Sequence, residues 1–303
     1  MSSKESINLS ETVPGLVSVL IPAYNHEQYV QLTIRSMIEQ TYQNIELIVI
    51  DDGSKDSTWE KISELKSECE KRFSRVDFST QENSGTCITL NRLIEKARGE
   101  YIYLIASDDL SMPEAIQKEF EFLSNHDDYA LVVGDNYIID ENGNQIALDK
   151  KMNNVPLDAK DSFPTFAAYL EYRTKIIIDS ELFGTYKALW KSNHIPNGYL
   201  IRKSIFGIIG GFSPNAPLED YYLMLKLSKV SKLKFINQPL FYYRRHSGCT
   251  SKKRLHMLEM TIKTKWFLLK GNYSPINICR RIYYLYLHLK IYLCRLFFKC
   301  DIK

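Results

Sequence analysis

From Leu16 onward, short apolar β-branched runs alternate with stretches of helical period, and this rhythm admits few folds. Leu16–Ile21 reads as a buried strand that ends at Pro22, and Glu27–Gln40 follows with apolar residues at near-helical spacing. Ile45–Ile50 is a second strand and Asp56–Arg72 a second helix, capped by Asp56 or Ser57, with Glu60 completing a capping box. Val76–Phe78, Thr86–Ala97 and Tyr101–Ile105 continue the pattern. Repeated strand–helix–strand units predict a doubly wound, mostly parallel sheet flanked by helices. Such sheets bind ligands at the carboxyl ends of their strands.

Beyond Ser124 the rhythm changes. Tyr129–Gly134 and Tyr137–Asp140 read as strands, with a turn at Asn142-Gly143. Residues 150–190 show little periodicity, and 150–215 is the stretch expected to read an acceptor. Leu218–Leu227 reads as a short helix, Leu233–Ile236 and Leu240–Arg245 as strands, and 252–270 and 276–300 as basic helices. The expected division is a polar leader (1–15), a catalytic domain (16–246, with a nucleotide-binding half to 124) and a basic helical tail (247–303).

Carboxylates stand where the sheet rule places ligands. The first strand runs into Pro22-Ala23-Tyr24-Asn25, the second into Asp51-Asp52-Gly53-Ser54, and the fourth into Ser107-Asp108-Asp109. Gathered at one edge, these acids would repel one another unless a cation neutralised them. Mg²⁺ or Mn²⁺ carrying a diphosphate answers that need with hard oxygen ligands. Acidic residues also favour turns and caps for purely structural reasons. No glycine fingerprint follows the first strand and no P-loop motif occurs, which disfavours dinucleotide oxidoreductases and P-loop enzymes.

Taken in order, VSVLIPAYN (17–25), IELIVIDDGSKDST (45–58), Asn83-Ser84-Gly85, GEYIYLIASDDLSMP (99–113) and LEDYYLMLKLS (218–228) resemble the family 2 glycosyltransferases of GT-A fold. The resemblance covers residues 16–246. It implies inverting transfer of a sugar from a nucleotide diphosphate donor, a UDP-sugar being expected. By similarity Pro22, Tyr24 and Asp52 hold the base, Asn25 and Gly85 belong to the same donor site, and Asp108 faces the ribose. Asp109 or Asp108 is the principal metal ligand, with His246 as a further one, and Asp220 is the catalytic base. Arg244 is the expected charge partner of the diphosphate. Ala106 replaces the first acid of the usual Asp-x-Asp-Asp loop, and Leu90-Asn91 stands where Arg-Asn is common. Glu219 is the alternative base, and a helix N-terminus attracts both acids in any case. Gly210-Gly211-Phe212 is expected near the donor sugar.

Net charge is +3, but residues 244–303 hold 14 Lys and Arg against 2 Asp and Glu, while residues 1–243 hold 25 against 34. Wound as a helix, 276–300 gathers Arg280, Arg281, His288, Arg295 and Lys299 in one sector of about 100° among apolar and aromatic residues. That reads as an interfacial anchor on an anionic leaflet, with packing on the catalytic domain as the alternative. A lipid-linked saccharide acceptor at the inner face of the cell membrane follows as an expectation, in cell-surface polysaccharide (O-antigen-type) synthesis. A nucleic acid partner is not expected, since no recognised module accompanies the charge. The six cysteines lack metal or disulfide spacing, and the opening residues lack a secretory signal, so a cytoplasmic, peripheral location is expected. A non-catalytic sugar-nucleotide-binding protein and a sugar nucleotidyltransferase are the competing classes.

Overall fold

The computed structural model describes residues 11–248 and 254–269, together with Ile282, Tyr283 and Tyr286. In chain order the elements are β1 (Val13–Ala23), α1 (Val30–Ile38), β2 (Ile45–Asp51), α2 (Thr58–Glu64), α3 (Lys66–Arg72), β3 (Arg75–Thr80), α4 (Thr86–Lys96), β4 (Gly99–Leu104), β5 (Leu110–Ser111) and α5 (Ala115–Ser124). The second half adds β6 (Tyr129–Ile139), β7 (Gln145–Leu148), β8 (Asn154–Val155), α6 (Phe166–Thr174), α7 (Tyr186–Lys191), β9 (Tyr199–Arg202), α8 (Ile205–Ile209), α9 (Glu219–Leu227), β10 (Lys232–Arg244) and α10 (Arg254–Leu269).

The sheet runs β3-β2-β1-β4-β9-β6-β10-β5, with β7 paired to β6 and β8 to β7. β3, β2, β1 and β4 are mutually parallel, as are β6 and β10, while β9 enters antiparallel between β4 and β6. Period-two alternation divides the strand residues between two cores. Val17, Val19, Ile21, Leu47 and Val49 pack with α1–α3 and α5, whereas Leu20, Ile48 and Ile50 pack with α4 and α6–α9. Every residue of β2 is buried, which accounts for its unbroken apolar run.

Several local expectations are corrected. β1 continues through Pro22 to Ala23. The β1–β4 ladder ends at Leu20 and Leu104, and Pro22 shares Leu20's side of the strand, so its missing N–H falls where β4 has already stopped. The helix over 56–72 breaks at Leu65 into α2 and α3, and Ser57 makes no side-chain cap. Asp56 Oδ1 instead accepts from Thr58 N at 3.1 Å, so no capping box forms. β6 and β10 are each one strand rather than two. Gly134 lies inside β6, where a Cβ would meet the Leu240 side chain at 2.6 Å, and β10 absorbs Pro239 through register shifts. The unassigned 150–190 stretch holds α6 and α7, capped by Thr165 and Thr185.

The helix expected over 252–270 is α10. It lies along α9, with Ile262 and Leu269 against Trp190 and Thr264 Oγ1 accepting Leu218 N at 3.0 Å. Burial pulls the Lys265 ammonium down to about 8. Most of 276–300, including its basic sector, lies outside the described residues. Among the described residues no helix is long and apolar enough to cross a membrane.

One acid of α5 is buried with no ion pair among the described residues. Glu119 of α5 is fully buried, and neither carboxylate oxygen makes a hydrogen bond of normal geometry. Burial holds its carboxyl well above the ordinary value, partly offset by the nearby amides of Gly134 and Leu200. The folded state therefore keeps its proton while the unfolded chain ionises near pH 4.5. Stability carried by that proton is full below this pH and is lost as pH rises toward the folded value. Glu119→Gln should remove the slope, gaining relative to wild type by roughly 1.4 kcal/mol per pH unit above 4.5. Urea midpoints from pH 5 to 8 check this; a constant gap between the two proteins would show that Glu119 ionises normally.

Candidate active site

The loops leaving β1 and β2 are joined side by side. Asn25 N donates to Ser54 Oγ at 2.9 Å, Lys55 N to Asn25 Oδ1 at 2.8 Å, and His26 N to Thr58 Oγ1 at 2.8 Å. Asn25 takes φ 53°, a left-handed conformation that asparagine tolerates. Beside it Tyr24 is exposed and Pro22 half-buried. Asp52 is buried and fastens the next loop: Oδ1 accepts from Gln81 Nε2 and Ser84 N, and Oδ2 from Gly85 N at 2.9 Å. Gly53 makes that approach possible. At φ +70°, a Cβ there would sit 2.8 Å from Asn83 N. Open space adjoins Gly85, where a Cβ would meet nothing within 4 Å.

The two acids after β4 part company. Asp108 lies with two imidazoles: His246 Nε2 is 3.0 Å from Asp108 Oδ2, and His26 Nδ1 is 2.8 Å from Ser107 Oγ. Burial pushes Asp108 upward, but the His246 hydrogen bond and the charges of His26 and His246 outweigh it and hold the carboxyl below its ordinary value. The His26 imidazole is lowered, chiefly by burial. Asp109, one of the two acids expected at the metal, is 2% exposed, and its Oδ1 accepts Arg244 N at 2.8 Å. Burial and the adjacent Asp108 charge raise its carboxyl well above normal, partly offset by the Arg244 amide and charge. The grouping able to hold a metal is His26, Asp108 and His246, each offering one ligand atom within 4.8 Å of the others.

Arg244, expected as the charge partner of the diphosphate, lies inside the protein. Its side chain is 1% exposed, donating from Nε to Asp108 O at 2.7 Å and from Nη1 to Asp140 O at 3.2 Å. The guanidinium lies 4.9 Å from the Tyr29 ring centre, whose ring in turn approaches His246. Arg244 thus braces the Asp108 loop from within.

Asp220 opens α9. It is solvent-exposed, and desolvation by the protein around it raises its carboxyl above the ordinary value. Tyr221 N donates to Oδ1 at 2.6 Å and Asn193 Nδ2 lies 3.5 Å from Oδ2. Tyr199 ties this acid to the sheet. It pairs with Leu104 at the carboxyl end of β4, and its phenol is pushed up by burial and then by the charges of Asp220 and Glu219. Glu219 is raised too, first by burial and then by Asp220.

The motifs do not single out His26, although it follows Pro22, Tyr24 and Asn25 at the same edge. Asn91, which the sequence marks only as part of Leu90-Asn91, has a side-chain amide that donates to Phe212 O and accepts from Phe212 N, both at 2.8 Å. That clamp joins α4 to the loop leading toward α9.

The order β3-β2-β1-β4, with polar groups of three successive loops at its carboxyl edge, defines an α/β fold of the GT-A type. Residues 18–194, more than half of the chain, match the family described as Glycosyl transferase family 2, and the chain belongs to that family. It is 28% identical over 243 residues to the glycosyltransferase GlyG of Streptococcus pneumoniae, covering 77% of this chain and 72% of that one. Some other relatives are spanned over only 35% of their length. Among solved structures it is similar to Staphylococcus aureus TarS 1–349 in complex with UDP-GlcNAc (TM-score 0.57, 15% identity, 95% of this chain and 76% of that one). It is also similar to the mannosyltransferase PcManGT of Pyrobaculum calidifontis in complex with GDP-Man and Mn²⁺ (TM-score 0.61, 13% identity, 95% and 74%). At these identities the likeness is one of fold.

Proposed function

We propose that this glycosyltransferase is metal-dependent and inverting, moving a sugar from a nucleotide diphosphate to a hydroxyl of a saccharide acceptor. The observation that carries the reading is the carboxylate–imidazole cluster at the carboxyl edge of the sheet; Asp220, at the start of α9 with its carboxyl raised above the ordinary value, supplies the acid the reading needs. Two imidazoles and an ionised carboxylate suit a divalent ion. Held by His26, Asp108 and His246, such an ion would stabilise charge on the departing diphosphate. Tyr24 offers an exposed ring against the base, with Pro22, Asn25, Asp52 and Gly85 shaping that end of the donor site. Asp220 takes the proton from the acceptor hydroxyl as its oxygen attacks the anomeric carbon. A carboxyl raised above its ordinary value is a stronger base than one at that value. The UDP-GlcNAc and GDP-Man complexes of the two structural neighbours support a nucleotide-sugar donor, UDP-linked by preference.

The acceptor is a lipid-linked saccharide, with residues 247–303 as a basic tail holding the enzyme at the inner face of the membrane. The +12 of residues 244–303 supports this, and cell-surface polysaccharide synthesis is the corresponding role. A screen of nucleotide sugars, with and without membrane lipid extract, tests the whole reading. Nucleoside diphosphate should be released fastest when a UDP-sugar and extract are both present. Release of pyrophosphate instead would move the protein to nucleotidyl transfer.

A further inference from the structure

The segment between α7 and β9 links Asp220 to a cation on α6. Asn193 Nδ2 lies 3.5 Å from Asp220 Oδ2, and Asn193 O accepts Arg173 Nη2 at 2.7 Å. Arg173 stands exposed in the last turn of α6, the same nitrogen 3.5 Å from Ser192 Oγ. Its Nε and Nη1 make no hydrogen bond among the described residues. Desolvation holds the guanidinium below its ordinary value, and no acid among the described residues offsets that. The acids of the same stretch serve other partners. Glu171 Oε1 accepts Ile178 N at 2.7 Å, and Asp179 Oδ2 accepts Asn237 Nδ2 at 3.2 Å. Nor is the charge spent on Asp220, whose carboxyl is raised by desolvation and lowered only by backbone amides. Lys175, just past α6, adds a second cation, with Nζ 4.3 Å from the Tyr172 ring centre.

We infer that Arg173 determines acceptor specificity by binding an oxyanion of the acceptor, a phosphate or a carboxylate, beside the hydroxyl that Asp220 deprotonates. This rests on the reading above of Asp220 as the base toward a saccharide. The free N–H groups of Arg173 offer charge-assisted hydrogen bonds to such a group. The Asn193 carbonyl fixes the guanidinium relative to the base, so an anion held there sets which acceptor hydroxyl meets Asp220.

The test follows nucleoside diphosphate release from a UDP-sugar as membrane lipid extract is varied. Arg173→Gln should raise the KM for extract by at least about 10-fold, while kcat and the donor KM change by less than about 3-fold. Arg173→Lys should recover part of the loss, since it keeps the charge without the planar fork. Two treated acceptors distinguish the anions: saccharide freed by mild acid, which leaves the lipid phosphate behind, and extract whose carboxylates are methyl-esterified. The treatment that abolishes the difference between wild type and Arg173→Gln identifies the group bound. Equal KM values in the two proteins overturn the inference, as does a fall in kcat alone or a difference that survives both treatments; each leaves sugar transfer standing. No release by wild type with any nucleotide sugar and extract overturns this inference and the transfer reading together.

Discussion

Asp220→Asn should cut sugar transfer by roughly 10²–10⁴-fold, the usual worth of a positioned general base, while donor binding is unchanged. The amide keeps the shape of the carboxylate and its contact with Tyr221 N, so α9 should start as before. What it loses is the ability to take a proton. The sign of the pH effect follows from the raised carboxyl. Asp220 must be ionised to act, so the wild-type rate should rise with pH through the shifted value and then level off. The residual rate of the variant should lack that limb. Glu219→Gln is the companion measurement, because both acids are raised and only one is proposed to touch the acceptor. Full turnover by Asp220→Asn, or a larger loss in Glu219→Gln, would assign the base to Glu219 or to neither.

Asp108→Ala should abolish metal-assisted binding of nucleoside diphosphate, lowering Mn²⁺ affinity by at least about 100-fold, since it removes the only anionic member of the cluster. Asp109→Asn should do far less to the metal. Its Oδ1 accepts Arg244 N, and the amide oxygen of the variant can go on doing so. Calorimetric titration of both variants with Mn²⁺ and UDP separates two neighbouring acids that look equivalent in the sequence. Equal losses in the two would mean that Asp109 reaches the ion after all.

What the sequence conveys best is whatever depends on pattern. The βαβ rhythm of residues 16–105 leads to the parallel half-sheet because continuous apolar runs such as Ile45–Ile50 have nowhere else to be buried. The site's sheet edge follows from the same rule. Side-chain direction does not. Asp108 and Asp109 are adjacent and chemically identical, and only the three-dimensional path of β10 sends Arg244 N to one and His246 to the other. Arg244 shows the same limit: its sequence position does not reveal that two backbone carbonyls and the Tyr29 ring surround its guanidinium. Gly134 and Pro239 carry the usual signs of strand ends, yet both lie inside strands, since a glycine facing Leu240 and a bulge in β10 are tertiary events.

The docking of α10 bears on how the C-terminal segment is judged. Thr264 grips the peptide N–H of Leu218, one residue ahead of the Glu219-Asp220 pair. A chain shortened to end at His246 would release that grip along with any surface the tail adheres to. Lost turnover after such trimming then has two physical sources, a misplaced proton acceptor and a detached enzyme. Assaying the shortened protein on a water-soluble acceptor separates them, because only the first persists when no lipid is needed.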